Sequence, residues 1–232
     1  MYPHPFVREA GAGPAVVCVH SSSSSSSQWR ALMACLSPTF HVLAADSFGS
    51  GKSPSWAGNR PFQLEDEVAL LEPVFAQAGD GFALVGHSYG AAVALKAAVA
   101  LPGRVRSLTL YEPTLFSLID AKSPPPNDAD GIRNAAAAAV MALGNNDLSE
   151  AARCIVDFWS GEGTWDRIPE PIRKPIMQSM TNAPDWTNAM FNEPATLEEV
   201  SGLKVPVLYM IGKDSPAASR GGANLLTKTL PM

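Results

Sequence analysis

No apolar run in this 232-residue chain approaches the roughly 20 consecutive residues needed to cross a bilayer. The first residues, MYPHPFVREAGAG, lack the basic start and apolar stretch of a secretory signal, so a cytoplasmic location is expected. Cysteine is scarce. Cys18, Cys35 and Cys154 are odd in number and far apart, which fits neither a disulfide framework nor a zinc pattern and favours buried thiols in a reducing compartment. Charged residues make up only 17%, and the net charge of −5 with a pI near 5.3 leaves no basic footprint for nucleic acid or an anionic membrane. Histidine occurs four times, at positions 4, 20, 41 and 87, and never afterwards.

What is present is apolar: 46% of residues are hydrophobic, enough for a sizeable core in one domain or one domain with an insertion. Ala15–Val19, His41–Ala45, Phe82–Val85, Val105–Leu110 and Val205–Met210 are short apolar runs bounded by turn residues and read as strands. Gln28–Leu36, Leu64–Ala78 and the alanine-rich stretch to about Leu101 read as helices, with Glu65, Asp66 and Glu67 complementing the dipole of the second. Strands alternating with helices predict a mostly parallel α/β sheet with flanking helices. Residues 115–203 break that rhythm with a proline-rich loop and helix-like segments. The predicted organisation is therefore core 1–114, helical cap insertion 115–203 and core again 204–232.

Two motifs compete. Asp46-Ser47-Phe48-Gly49-Ser50-Gly51-Lys52-Ser53 ends in Gly-Lys-Ser, as a phosphate-binding loop does, but that loop needs glycine where Asp46 stands. Pro54 and the residues after it begin no long helix to face an anion. A structural turn is the better reading. Gly86-His87-Ser88-Tyr89-Gly90 fits G-x-S-x-G between a predicted strand and a predicted small-residue helix, the setting of a nucleophile elbow. Ser88 is the candidate nucleophile.

With these residues the chain resembles the α/β-hydrolase superfamily. His20 follows its strand as in that family's His-Gly loop, Trp29 falls where many members carry an aromatic, and Asp46-x-x-Gly49-x-Gly51-x-Ser53 is similar to the turn after the next strand. The resemblance covers Ala15 to Leu110 well and Val205 to Ile211 moderately. It implies a Ser–His–acid hydrolase of esters or similar acyl substrates, with a small-molecule substrate, no cofactor and no metal. The backbone amides of Ser22 and Tyr89 would form the oxyanion hole, although Ser21 stands where the family has glycine. His20 and His87 would support that loop and the elbow from behind. The acid is either Glu112, directly after the strand that follows the nucleophile helix, or Asp214, one residue before the family's usual position at Ser215. Trp159, Trp165, Trp186, Phe158 and Phe191 would line an apolar pocket or form the cap's own core.

A triad histidine should follow Asp214 in chain order, and none follows Ser88. The expectation is a hydrolase incomplete at its C-terminal end, lacking its last strand and closing helix. Such a chain would have an exposed apolar sheet edge and little turnover of its own. The other reading is a non-catalytic α/β-hydrolase-like binding protein. Substrate and oligomeric state are not legible.

Overall fold

The structure is a computed structural model and describes residues 3–231. Strands β1 (Val7–Ala10), β2 (Ala15–Val19) and β3 (His41–Ala45) come first, with a 3₁₀ turn (Ser26–Trp29) and helix α1 (Arg30–Leu36) between β2 and β3. Helix α2 (Leu64–Ala78), strand β4 (Phe82–His87), helix α3 (Tyr89–Ala100) and strand β5 (Val105–Tyr111) follow. Then come α4 (Ser117–Lys122), α5 (Asp130–Gly144), α6 (Leu148–Ser160), α7 (Thr164–Arg167), α8 (Glu170–Ser179), α9 (Ala183–Phe191) and α10 (Leu197–Ser201). Strand β6 (Val207–Met210) and helix α11 (Ala217–Leu226) close the described chain. The six strands form one sheet in the order β1-β3-β2-β4-β5-β6, parallel except for β1.

Several boundaries differ from the sequence expectation, and β4 and β5 run on to His87 and Tyr111, past the expected Val85 and Leu110. The N-terminal segment, where no strand was expected, supplies β1, whose Val7–Ala10 pairs antiparallel with β3. Trp29 belongs to a 3₁₀ turn rather than the first turn of α1, because the Ser25 hydroxyl caps Ser27 and fixes a tight entry. Strand β6 starts at Val207, since Pro206 has no N–H for the ladder. Helix α11 had no counterpart in the expectation: its small residues Ala217, Ala218, Gly221 and Gly222 carry little apolar periodicity.

The alternation of the strands sorts the sheet into two faces. One is packed by α2 and α3, where Leu43, Leu70, Leu71, Phe75, Leu84, Leu95 and Leu108 form the main core. The other is covered by α1 over β2 and β3, through Met33 against Val16, Cys18, Val42 and Ala44, with Ala83 and Val85 of β4 partly buried at the margin of this cluster. Following the pairing register outward, Cys18 leads to Val85, then Thr109, then Leu208 on this same face. Here burial fails: Tyr111, Leu208 and Met210 are 38%, 57% and 39% exposed. An uncovered apolar half-face thus ends at the edge strand β6, a contact-prone arrangement. Leu208→Lys is expected to shift Tm by no more than about 2 °C, as an exposed position does. The same change should lower concentration-dependent light scattering. A large Tm loss would show that Leu208 is packed.

No helix among the described residues is long and apolar enough to cross a membrane.

Candidate active site

The site is assembled at the C-terminal ends of β2, β4, β5 and β6. Strand β4 runs into α3 with a turn so sharp that Ser88 takes φ 55° and ψ −118°, a backbone region that costs a non-glycine residue about 1–3 kcal/mol. Its N–H donates to the Tyr111 carbonyl at 2.7 Å, and its carbonyl accepts from Ala91 and Ala92, so both neighbours in the sheet and helix hold the strain in place. The two glycines of the motif are required by close approach. A Cβ on Gly86 would lie 2.4 Å from the Gly90 carbonyl oxygen, and one on Gly90 would lie 2.3 Å from the Val19 oxygen.

The serine run is an ordered loop. His20 is fully buried; its Nδ1–H donates to the Ser21 carbonyl at 2.7 Å and its Nε2 accepts the Ser47 N–H at 3.0 Å. Burial holds its pKa below the usual histidine range, so it serves as a neutral strut. Gln28 then joins this loop to the elbow. Its Oε1 accepts from both the Ser21 N–H and the Ser21 hydroxyl, at 3.1 and 2.9 Å. Its amide NH₂ therefore faces His87 Nδ1, at 3.1 Å, and places that imidazole's proton on Nε2. His87 also stacks on Tyr111, with ring centroids 4.7 Å apart, and burial lowers its pKa against the opposing pull of Glu112. Among the described residues neither the Ser22 nor the Tyr89 backbone N–H donates to a protein acceptor.

Glu112 and Asp214 line one open cavity with Ser88, Ser22 and His87. They differ in how they are held. Glu112 has φ 50°, another strained position, and its Oε1 accepts the Gly212 N–H at 2.6 Å together with the Ser215 hydroxyl. Asp214 is exposed and holds no hydrogen-bond partner among the described residues. Ser215, at the position where the family pattern places its aspartate, therefore donates to Glu112.

The Gly-Lys-Ser sequence makes a turn closed by its own acid. Asp46 Oδ2 accepts the Lys52 N–H at 2.9 Å, Oδ1 accepts the Ser26 N–H at 2.6 Å, and the Ser53 hydroxyl donates to the Asp46 carbonyl. Three residues outside the sequence expectation matter here: Gln28, Ser215 and Glu67. Glu67 is fully buried under the elbow, where it accepts the Phe48 N–H at 3.2 Å and the Tyr89 hydroxyl at 3.3 Å. Burial pushes its pKa up to about 8. Its place three residues after Leu64 and four before Leu71, on the apolar stripe of α2, was the available signal.

A family model described as alpha/beta hydrolase family matches residues 16–229. The chain belongs to the alpha/beta hydrolase family. Among relatives, a lipase from Mycobacterium tuberculosis (LipV) is 36% identical over 110 residues, 47% of this chain and 41% of the lipase. A haloalkane dehalogenase from Bradyrhizobium diazoefficiens is 34% identical over 110 residues, 45% of this chain and 34% of that enzyme. The matches thus span about two-fifths or less of these relatives' own lengths. An alpha/beta hydrolase of known structure from Sphaerobacter thermophilus superposes with a TM-score of 0.74 at 24% identity, covering 98% of this chain and 85% of that one. This alpha/beta hydrolase thus has the sheet and helix order of its family, and its homologues are hydrolases.

Proposed function

We propose that this alpha/beta hydrolase cleaves carboxylic esters or similar small acyl substrates through Ser88. The observation that carries the reading is the strained Ser88 backbone at the N-terminus of α3, opening on a cavity shared with Glu112. Ser88 Oγ attacks the substrate carbonyl, and the free amides of Ser22 and Tyr89 receive the oxyanion that forms. A serine nucleophile separates this chain from dehalogenase chemistry, in which a carboxylate attacks. Glu112 is the acid of the pair. Its carboxylate is oriented by Gly212 and Ser215, as a group that must position an imidazole and stabilise its cation needs to be, whereas Asp214 has no hydrogen-bond partner among the described residues. In this proposal 1–114 and 204–232 are the hydrolase core and 115–203 its cap, with residues 3–231 described by the structure.

The base is the part these 232 residues do not supply. His4 is exposed and does not line the cavity, His20 is consumed as a strut, His41 pairs with Glu9 away from the cavity, and His87 has Nδ1 committed to Gln28. In this reading the base role falls to an imidazole that these residues do not place beside Ser88. Imidazole added to the 232-residue chain tests it, because the cavity over Ser88 and Glu112 is open. Hydrolysis of p-nitrophenyl butyrate is expected near the buffer rate without imidazole. It should rise with imidazole beyond imidazole's own catalysis. The increment should vanish in Ser88→Ala, fall about 10-fold or more in Glu112→Gln and persist in Asp214→Asn. An increment lost in Asp214→Asn but not in Glu112→Gln would reassign the acid, and an increment unaffected by Ser88→Ala would end the hydrolase reading.

A further inference from the structure

Within the serine run, Ser21 stands where the family pattern has glycine, and it brings a hydroxyl with it. That hydroxyl and the Ser21 N–H both donate to one acceptor, Gln28 Oε1, at 2.9 and 3.1 Å. The side chains of Ser22, Ser23 and Ser24 make no hydrogen bond among the described residues, so Gln28 is the side-chain tie between this part of the loop and the elbow. Gln28 is itself firmly based. It lies in the 3₁₀ turn Ser26–Trp29, where its own N–H donates to the Ser25 carbonyl at 2.9 Å. The Ser26 N–H of the same turn donates to the buried Asp46 carboxylate at 2.6 Å. From that base the Gln28 NH₂ reaches His87 Nδ1 at 3.1 Å, and His87 stacks on Tyr111 with the ring planes 14° apart. One amide thus touches the residue before Ser22 and the residue before Ser88.

We infer that Gln28 is a positioning residue of the oxyanion site, holding the Ser22 N–H in a fixed place relative to Ser88. The inference rests on the hydrolase reading of Ser88 and Ser22. A backbone N–H stabilises an oxyanion well only when it is aimed beforehand at the place where the charge develops. The loop needs a restraint to stay so aimed. Ser23, next to Ser22, has φ 56°, a strained conformation for a residue with a Cβ, which an untied loop would relax. Gln28 does not line the open cavity beside Ser88, so it acts through its two neighbours. Its carbonyl oxygen holds the loop through Ser21, and its NH₂ fixes the His87 tautomer and anchors that hold on the elbow.

The test uses p-nitrophenyl butyrate and the 232-residue chain at a fixed imidazole concentration. Gln28→Met, similar in size but without the amide, should lower kcat about 10- to 100-fold and leave KM within about 2-fold. Ser21→Ala, a smaller change, should lower kcat several-fold, and the two changes together should cost no more than Gln28→Met alone. Gln28→Glu keeps an oxygen for Ser21 and should recover most of the loss. Two further readouts separate positioning from packing. The rate ratio of the ester to its thionoester, whose sulfur is a weak acceptor, should shrink in Gln28→Met in step with kcat. Nitrogen NMR of the His87 ring, assigned by its loss in His87→Asn, should show the proton on Nε2 in the unaltered chain and on Nδ1 in Gln28→Glu. An unchanged kcat and thionoester ratio in a Gln28→Met chain that keeps the parent circular dichroism would overturn the assignment, as would a raised KM with kcat unchanged. Should Gln28→Met fail to fold, an unchanged kcat in Ser21→Ala would overturn it instead. The same His87 tautomer in the unaltered chain and Gln28→Glu would remove the bridge to the elbow. No Ser88-dependent increment in the unaltered chain would remove the hydrolase reading itself, whereas an increment there that persists in Gln28→Met would remove only the role of Gln28.

Discussion

Ser88→Gly is expected to be inactive and at the same time more stable than the unaltered chain. The φ of 55° and ψ of −118° at this position are open to glycine and costly for any residue with a Cβ. Glycine would recover about 1–3 kcal/mol of strain and give back about 0.5–1 kcal/mol through the greater freedom of the unfolded chain. A net gain of about 1 kcal/mol raises Tm by roughly 2–4 °C in a chain of this size. Ser88→Ala keeps the Cβ and should melt with the parent. Both variants remove the nucleophile, so both should lose the whole imidazole-supported increment, a fall of at least ~10³-fold if the increment is that large. Thermal melts and ester kinetics on the two variants separate strain from chemistry. Equal melting of Ser88→Gly and Ser88→Ala would mean that the elbow stores no strain.

The second large effect belongs to Glu67. The folded chain keeps this carboxyl protonated up to about pH 8, because the charged form would be buried, whereas the unfolded chain releases the proton near 4.5. Between these values folding takes up a proton, so this group's contribution to stability is fully present below about pH 4.5. It is lost as pH rises towards 8, at about 1.4 kcal/mol per pH unit. Glu67→Gln removes the titration while its side-chain oxygen still accepts from Phe48 and Tyr89. Urea midpoints of the parent minus those of Glu67→Gln should therefore decline steadily from pH 5 to pH 8. Glu67→Ala leaves the Phe48 N–H and the Tyr89 hydroxyl unpaired beside a cavity, at a cost of about 2–4 kcal/mol. Parallel midpoints for the parent and Glu67→Gln across that range would contradict the burial-driven shift.

How much of this was legible in the sequence follows from what each signal depends on. Strands β2 and β3 are buried on both faces and so appear as unbroken apolar runs, while β4 alternates buried and part-buried residues that are apolar up to Val85. The Leu64–Ala78 helix was read at its observed bounds because its acidic first turn and apolar period agree. Strand β1 was missed since Val7-Arg8-Glu9-Ala10, only partly buried, carries no such run. Within the candidate site, Ser88 and its glycines are local and were readable. Gln28 was not, because its partners, Ser21 and His87, lie in different segments and only the fold brings them together. Ser215 was likewise read only as a missing aspartate. Its relation to Glu112, 103 residues away, exists only across the β5–β6 pairing.

The most direct test of the account is the site of covalent attack. A fluorophosphonate leaves its phosphorus on the attacking oxygen and releases fluoride, so peptide mass spectrometry of the 232-residue chain identifies the nucleophile. With imidazole present, one adduct per folded chain is predicted on the peptide containing Ser88, forming faster as imidazole is raised and absent from chain unfolded in urea. Labelling spread over the serine run 21–27, or no adduct on Ser88 in folded protein at any imidazole concentration, would contradict the claim that this elbow presents a nucleophile.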